Sequence, residues 1–329
     1  MKWNKILVAT DFSAPAGRAL DSARALAAKT GGTIVLLHVV PPPVALYPQE
    51  TVSIGAFSEA WVREARRELA PLAARARKDG RRVRVEARFG VPWRRIVDVA
   101  EELAVDAICI GRSGHSRLER LALGSTAERV VRAAPVPVVV VGSRALKRVA
   151  RVLAPVDLDE GSAAALRLAE RLATGGARLE ALFVVPRGMA ERGEGALAEF
   201  LELHGVDPAV GVVHEESDPA AGILDRAHET RPDLIVVATQ ARRGLDRLLL
   251  GSVAEKVVRH AEAPVLAIPW EAVERAAASL SKDAAPARRR RSRAPAARPR
   301  PAGRAGRGPW SGQAHTGRGG PAGRRGGGP

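Results

Sequence analysis

Only one cysteine, Cys109, occurs among the 329 residues, and aromatic side chains make up just 3% of them. A single cysteine excludes an intrachain disulfide and favours a reducing compartment. With so few aromatics, we expect Ala, Val, Leu and Ile to fill the interior, which suits buried parallel strands covered by helices. The first apolar run, before Asp11, spans five residues, too short for a signal peptide, and no run reaches the roughly 18 residues that cross a bilayer. The sequence therefore predicts a cytoplasmic protein.

Acidic residues are missing from the end of the chain. From Ala284 onward there are 12 arginines and no Asp or Glu, so the net charge of +16 falls to +4 for residues 1–283. This part is rich in Pro, Gly and Ala and has no apolar periodicity, so we expect residues 273–329 to form a disordered tail. Arg/Gly-rich segments bind nucleic-acid phosphates without sequence specificity. Because Trp310 is the tail's only aromatic residue, a solubilising role is at least as well supported.

One passage of the sequence occurs twice. Residues 118–132 read LERLALGSTAERVVR, and residues 245–259, 127 positions later, read LDRLLLGSVAEKVVR. An apolar, strand-like run follows each copy. A repeat of this length predicts two related domains, over residues 1–145 and 146–272.

Strand and helix patterns alternate in both halves, which predicts two tandem doubly wound parallel five-stranded sheets of the Rossmann-like α/β class. The predicted strands are Lys5–Thr10, Thr33–Val39, Arg82–Ala87, Asp106–Ile110, Val136–Val141, Arg151–Val156, Arg178–Val185, Val210–His214, Leu234–Thr239 and Val265–Ile268. Helices are predicted over Pro15–Lys29, Ser58–Lys78, Pro92–Leu103 and Ser125–Ala133 in the first half. The second half is about 19 residues shorter, with a Gly-containing stretch, Gly188–Leu203, in place of the Pro-rich loop and long helix.

The last strand of each half is strongly apolar. Two domains in one chain can cover these strands by pairing them with each other, as an internal pseudo-dimer. The alternative is that each strand is covered only by the helices of its own half. A further homodimer is compatible with either arrangement.

Polar and glycine residues of the first half are predicted to meet at the carboxyl ends of its strands, where doubly wound sheets bind ligands. Asp11 follows strand one, and a carboxylate there can accept hydrogen bonds from ribose hydroxyls. Val39 ends strand two and offers an apolar wall. Strand four runs into the spacing GxxG-x9-GS, formed by Gly111, Gly114 and Gly124-Ser125.

Each part of this glycine motif suits a phosphate. Gly111 and Gly114 allow positive φ and let the backbone approach a ligand without interference from a Cβ. Gly124-Ser125 opens a helix, where unpaired N–H groups and the helix dipole favour anions. The pattern is neither a Walker A loop nor a GxGxxG dinucleotide fingerprint. Any one of these features taken alone is explained as well by a turn glycine or an ordinary helix start as by a ligand site. Their combination predicts a mononucleotide pocket.

Together, the opening KILVATDFS, the strand LLHVV, the segment FGVPWRRIVDVAEE and the complete GxxGx9GS resemble the universal stress protein family, over about residues 3–270. The resemblance implies an adenine nucleotide alpha hydrolase-like fold and, for the first half, the ATP-binding branch, with Mg²⁺ as an optional companion of the phosphates. It places adenine and ribose against Asp11 and Val39 and the phosphates against the glycines and the Gly-Ser pair. The resemblance also implies that the last strands pair across a dimer interface, and we therefore expect the internal pseudo-dimer. By position, the implied ATP-binding residues, including neighbouring wall or phosphate contacts, are Ala9, Asp11, Val39, Ile110, Gly111, Arg112, Gly114, Gly124, Ser125 and Thr126.

The second half departs from this motif. Ala238 and Ala241 stand where the first two glycines are expected, although Asp157 and either Val184 or Val185 keep the positions after strands one and two. Added methyl groups crowd the backbone and disfavour positive φ. We therefore expect a single nucleotide site, in the first half.

No catalytic motif accompanies the predicted phosphate seat. The sequence has no Walker B strand, no metal-ligand cluster and no convincing Ser/His/Asp set, so we expect a nucleotide-binding stress-response or signalling module that hydrolyses ATP slowly at most. The rival interpretation is a protein-interaction scaffold that binds no nucleotide, tethered to nucleic acid by its basic tail.

Overall fold

The computed structural model describes residues 3–28, 30–43, 54–78, 80–114, 123–173, 175–207, 210–239, 250–270 and 272; of residues 54–57 and 210 it describes the backbone only. The predicted tail and Ala241 lie outside the described residues. The first half contains β1 (Lys5–Ala9), α1 (Ala14–Ala28), β2 (Thr33–Val40), α2 (Ile54–Arg77), β3 (Val83–Phe89), α3 (Pro92–Glu102), β4 (Ala107–Gly111), α4 (Ser125–Ala133) and β5 (Val138–Val141). The second half contains β6 (Arg151–Val156), α5 (Glu160–Leu172), β7 (Arg178–Val185), α6 (Ala190–His204), β8 (Val210–Glu215), α7 (Pro219–Thr230), β9 (Leu234–Ala238), α8 (Ser252–His260) and β10 (Val265–Ile268).

All these strands belong to one ten-stranded sheet with the order β3-β2-β1-β4-β5-β10-β9-β6-β7-β8. Within each half the strands are parallel, and the chain order reverses between β1 and β4 in the first half and between β6 and β9 in the second. The α/β class with two doubly wound halves is therefore confirmed. Each half is called a repeat below. Each repeat contains one switch point, which is the position at which such sheets bind ligands.

The two repeats join through their last strands, β5 and β10, which pair antiparallel. Val139 lies opposite Leu266, its own counterpart 127 residues later, while Val138 faces Ala267 and Val140 faces Val265. Such reciprocal pairing is the pattern of a twofold interface between identical subunits. The predicted internal pseudo-dimer is confirmed, and the expectation that each strand is covered only by its own helices is wrong.

Helices cover both faces of the sheet. On one face, Leu20 of α1 and Leu69 of α2 belong to the same buried cluster as Leu166 of α5. On the other, a second cluster contains Ile96 of α3, Val130 of α4 and Val257 of α8. The interior is aliphatic, as the composition predicts, and Cys109 is fully buried in β4, where burial raises the pKa of its thiol.

The predicted element bounds differ from the observed ones mainly at their ends. The clearest difference is the stretch Gly188–Leu203, which contains a full helix, α6, closed by Gly205 in the left-handed conformation. Gly193 and Gly195 lie inside this helix, where a Cβ at Gly193 would come within 2.9 Å of Val185 and Val213 side-chain carbons. Glycine therefore lets α6 approach the sheet closely. Among the helices of the described ranges, none combines the length and apolar composition needed to cross a membrane.

Candidate functional site

A cavity of about 380 Å³ opens at the switch point of the first repeat, between the carboxyl ends of β1 and β4. All ten residues predicted for the site line it, so the structure brings the whole predicted set together. In full, the cavity is lined by Ala9, Thr10, Asp11, Ala16, Leu37, His38, Val39, Pro41, Pro92, Ile96, Ile110, Gly111, Arg112, Ser113, Gly114, Gly124, Ser125, Thr126 and Ala127. We call it the switch-point cavity.

Asp11 is fixed by a turn that begins helix α1. Its Oδ1 accepts a hydrogen bond of 3.0 Å from the Ser13 N–H, which forms an Asx turn. Phe12 between them has a φ of +65°, and the Ser13 hydroxyl accepts a bond of 3.3 Å from Ala16 N–H. The carboxylate is thus held at the rim of the cavity rather than left to rotate freely.

The motif glycines matter because they lack a side chain, and not because they adopt positive φ. Neither Gly111 nor Gly114 is among the described residues with positive φ, so the backbone does not use the freedom that glycine allows there. A Cβ on Gly111 would lie 2.9 Å from Pro15 C and from Ala16 N, and one on Gly114 would lie 2.7 Å from Asp11 Oδ2. Glycine is needed there because the start of α1 and the Asp11 carboxylate pack directly onto the loop. The spacing therefore shapes the cavity indirectly.

Helix α4 starts at the cavity, and within the described residues no side chain caps its N-terminal N–H groups. Gly124 is the N-cap, in extended conformation with φ −65° and ψ 145°, and its own N–H donates to Arg112 O at 2.8 Å. Ser125 and Thr126 form the first turn and line the cavity. Free N–H groups and the positive end of the helix dipole favour a phosphate at this position.

The opposite wall is apolar. Ala9, Val39 and Ile110 are nearly buried, at 6%, 7% and 6% exposure. Pro92 and Ile96, from α3, complete this wall and were missed by the sequence analysis. The signal that points to them is the right-handed crossover from β3 to β4, which places the start of α3 beside the strand ends.

Two further wall residues are held by contacts of their own. His38 Nδ1 lies 2.7 Å from Thr10 O, and its ring centroid is 4.6 Å from that of Phe12, so this histidine braces β2 against the β1 turn. Arg112 reaches away from the predicted phosphate seat, since its Nη1 donates to Ala261 O of the second repeat at 2.8 Å. Burial and the nearby positive charge of Arg18 lower the pKa of the Arg112 guanidinium.

The second repeat has a smaller counterpart, a cavity of about 270 Å³ at the ends of β6 and β9. Strand register resolves one open alternative: Leu37 pairs with Ala9 and Leu182 with Pro155, so Val184 is the equivalent of Val39. Val184 lines this cavity, together with Pro155, Val156, Asp157, Ser162, Leu182, Phe183, Pro219, Ile223, Val237, Ala238, Thr239, Gly251, Ser252, Val253 and Ala254.

The turns after β1 and β6 establish which residues correspond at the two cavities. Leu158 has a φ of +63°, matching Phe12, so Asp157 corresponds to Asp11 and Asp159 to Ser13. By the same correspondence Gly161 stands where the first repeat has Pro15. Where the helix meets the strand end, the first repeat thus has Gly111 at the end of β4 and Pro15 in α1. The second repeat has Ala238 at the end of β9 and Gly161 in α5.

The N-cap of α5 adds a carboxylate that the first repeat lacks. Asp159 Oδ1 accepts a hydrogen bond of 2.7 Å from Ser162 N, but its Oδ2 is buried with no hydrogen-bond partner. Burial, reinforced by Asp157, raises the pKa of Asp159 to about 6. The negative charges of the two carboxylates at this turn repel an anion near the second cavity.

Neither cavity contains a ready-made metal centre. Within the part of the chain that the structure describes, no three His, Cys, Asp or Glu side chains are grouped so that they could hold a metal ion. In the switch-point cavity, Ser125 and Thr126 supply hydroxyls, and Asp11 supplies the carboxylate at the rim.

Comparison with known proteins identifies both repeats. The model of the universal stress protein family matches residues 2–142 and 149–269. A universal stress protein of Mycolicibacterium smegmatis is 29% identical over 286 residues, covering 80% of this chain and 96% of the relative. The crystal structure of a universal stress protein from Archaeoglobus fulgidus has a TM-score of 0.64 and 22% identity, covering 81% of this chain and 96% of that one. Another matched structure is a universal stress protein in complex with cAMP, at 23% identity and a TM-score of 0.31, covering 43% of this chain and 98% of that one.

Proposed function

Because the chain belongs to the universal stress protein family, we propose that its first repeat binds an adenine nucleotide, ATP, in the switch-point cavity. The protein acts as a nucleotide-responsive stress or signalling module, and the bound nucleotide is a ligand rather than a substrate for rapid turnover. The second repeat supports the first through the shared sheet and does not bind ATP.

The observation that carries this proposal is the convergence of an uncapped helix start, a cradle without side chains and an apolar wall on one cavity. Its volume of about 380 Å³ falls within the range of about 300–1,000 Å³ usual for small-ligand sites. The N–H groups at the start of α4 face one end, and Val39 with Ile96 lines the apolar part. A ligand that combines a flat apolar base with an anionic tail fits both parts of the cavity.

Within the cavity, each part of ATP has a candidate partner. Adenine packs against Val39, Ile96 and Ile110, and the ribose hydroxyls donate to the Asp11 carboxylate. The phosphates accept hydrogen bonds from the N–H groups of Ser125 and Thr126 at the positive end of α4. Ser125 and Thr126 hydroxyls would lie beside any Mg²⁺ that accompanies the phosphates.

Slow turnover follows from what surrounds the proposed phosphate position. The described lining residues include one carboxylate, Asp11, which is engaged with Ser13 N–H in the turn. Phosphoryl transfer relies on positioned metal ions, cationic side chains and an oriented nucleophile. We expect any hydrolysis to be slow, so that nucleotide occupancy sets the conformation.

A matched pair of glycines tests this proposal. Gly124 and Gly251 are both N-caps without side-chain capping, and their N–H groups donate to strand-end carbonyls at 2.8 and 2.7 Å. An added Cβ would lie 3.3 Å from the nearest atom at Gly124 and 3.2 Å at Gly251, so Gly→Val costs similar packing at both sites. Only Gly124→Val places a branched side chain at the proposed phosphate seat.

We expect the full-length protein to bind one equivalent of ATP by isothermal titration calorimetry, and to release adenine nucleotide on denaturation if it is purified loaded. Gly124→Val should weaken ATP binding by roughly a hundredfold or more, the equivalent of about 2.7 kcal/mol. Gly251→Val should bind as the wild type does. Equal weakening by both variants, two equivalents of ATP, or none at all would contradict the proposal, and the last result would favour the interaction-scaffold alternative.

A further inference from the structure

A second cavity of the first repeat, of about 550 Å³, shares the Arg112–Gly114 loop with the switch-point cavity but is otherwise built from different residues. The start of α1 and the segment after β5 form its other walls. Its lining consists of Ser13, Ala14, Pro15, Arg18, Arg112, Ser113, Gly114, Gly142 and Ser143. We call it the arginine cavity.

Two guanidinium groups of the arginine cavity have no acidic partner. Arg18 Nε donates to Gly142 O at 2.8 Å, and Arg112 Nη1 donates to Ala261 O at 2.8 Å. Both acceptors are backbone carbonyls, and the lining contains no Asp or Glu. By contrast, Arg88, Arg132 and Arg226, among others, each pair with a carboxylate. Two positive charges thus face one cavity without a counter-charge among the described residues.

Arg112 has a further unmet requirement. Its Nε is buried and has no hydrogen-bond partner in the described part of the chain. Burial and the positive charge of Arg18 both lower the pKa of this guanidinium, so the two arginines repel each other there. A buried donor left unpaired costs free energy, and an anion in the cavity would offset the repulsion between the two positive charges.

The backbone makes room for this costly arrangement. A Cβ on Gly142 would lie 3.1 Å from Arg112 Cζ and Nη1, so the absence of a side chain lets the guanidinium lie across β5 toward the second repeat. The first turn of α1 lies at the same cavity and adds the positive end of a 15-residue helix. Space, charge and donors therefore all fit an anion.

We propose that the arginine cavity binds a phosphate-class oxyanion, held by Arg18 and Arg112, independently of the nucleotide in the switch-point cavity. Arginine presents several N–H donors in a plane, which matches the oxygens of phosphate. The ligand is a free oxyanion and not the terminal phosphate of a nucleotide that reaches around the Arg112–Gly114 loop. The inference does not require that the first repeat bind ATP.

The decisive variant is Arg18→Gln. The glutamine Nε2 occupies the chain position of the arginine Nε, so the bond to Gly142 O is retained while the charged part of the guanidinium is deleted. Arg24→Gln is the matched control, because it removes the same charge from the same helix at a residue that pairs with Asp21 and lines neither cavity. Circular dichroism and thermal denaturation check that each variant is folded.

The experiment is calorimetric titration of inorganic phosphate into the full-length protein at constant ionic strength, with and without saturating ATP. We expect one saturable phosphate site, unaffected by ATP, unchanged in Arg24→Gln and weakened roughly tenfold to a hundredfold in Arg18→Gln. If Arg18→Gln fails to fold, Arg18→Lys, which keeps a charge but loses the planar donors, should weaken phosphate binding at least severalfold.

Three results would overturn the inference. They are the absence of saturable phosphate binding, equal affinity in the wild type and the Arg18 variant, and phosphate that ATP displaces competitively. The last result would assign the phosphate to the switch-point cavity. If the protein does not bind ATP, the phosphate titration without ATP still tests the arginine cavity. The two proposals therefore fail separately.

Discussion

The two repeats share a frame and differ in what their switch points offer. Strands occur in the same order outward from the β5–β10 junction, and both turns after the first strand place a non-glycine residue at positive φ. At the first switch point, Gly111 meets Pro15 and the N-cap is a neutral serine. At the second, Ala238 replaces the glycine and the N-cap is Asp159. The fold therefore tolerates loss of the motif, whereas the proposed preference of the first cavity for an anion depends on it.

The largest expected effect comes from giving the first repeat the residue of the second. In Gly111→Ala, the new Cβ starts 2.9 Å from Pro15 and Ala16 backbone atoms, so the start of α1 must shift and with it the Asp11 turn. We expect a loss of about 1–3 kcal/mol in unfolding free energy and, because the cavity wall moves, at least a tenfold loss of ATP affinity. Chemical denaturation and calorimetry measure the two effects.

A swap variant shows whether the residue correspondence is right. Gly111→Ala combined with Pro15→Gly reproduces the Ala238 and Gly161 pair of the second repeat. The double variant should be less destabilised than the sum of the two single variants, because Pro15 Cβ is one of the atoms that the new methyl group meets. Strict additivity, or unchanged ATP affinity in Gly111→Ala, would show that the close packing at Gly111 is unimportant.

The next effect, of intermediate size, concerns the extra carboxylate of the second repeat. Because the pKa of Asp159 is raised to about 6 in the folded protein, the native state holds a proton that the unfolded chain releases near pH 4. Stability from this group therefore falls as pH rises from about 4 to 6 and stays lower above that range. Asp159→Asn keeps the cap, since asparagine is an equally good N-cap. It should add about 1 kcal/mol at pH 7 after allowance for solvent screening.

Asp218, the N-cap of α7, is a control of opposite sign. A hydrogen bond from Lys256 lowers its pKa, so its contribution to stability is present at neutral pH and is lost as pH falls through the lowered value. Asp218→Asn should therefore lower stability at pH 7 and lower it by less at pH 3. Denaturation curves from pH 3 to 8 separate the two variants. If Asp159→Asn also lowers stability at pH 7, the assigned effect of burial on its pKa is wrong.

The contrast between the repeats also shows how far the sequence alone could reach. Strand alternation and the internal repeat were sufficient to predict the fold class, and GxxG-x9-GS located the switch-point cavity, because period and spacing fix which strand ends meet. The full set of ten lining residues and the β5–β10 junction rested in addition on the resemblance to the universal stress protein family. The sequence held no information on how closely α1 packs against Gly111 and Gly114. Pro92 and Ile96, and the turn of Arg112 toward Ala261, were missed as well, because these depend on tertiary contacts.

The smallest effect tests how tightly the repeats are coupled outside the sheet. Arg132 of α4 donates to Glu128 of its own helix at 2.9 Å and to Glu255 of α8 at 3.2 Å, whereas its counterpart Arg259 pairs with Glu255 within α8 at 2.7 Å. Arg132 is therefore the arginine of this pair that spans the repeats. In a double-mutant cycle, Arg132→Gln and Glu255→Gln should show a coupling of about 0.2–1 kcal/mol, decreasing with added salt. Arg259→Gln combined with Arg132→Gln should depart from additivity, because both arginines pair with Glu255. A coupling above about 2 kcal/mol between Arg132 and Glu255, insensitive to salt, would contradict their assignment as a partly exposed ion pair.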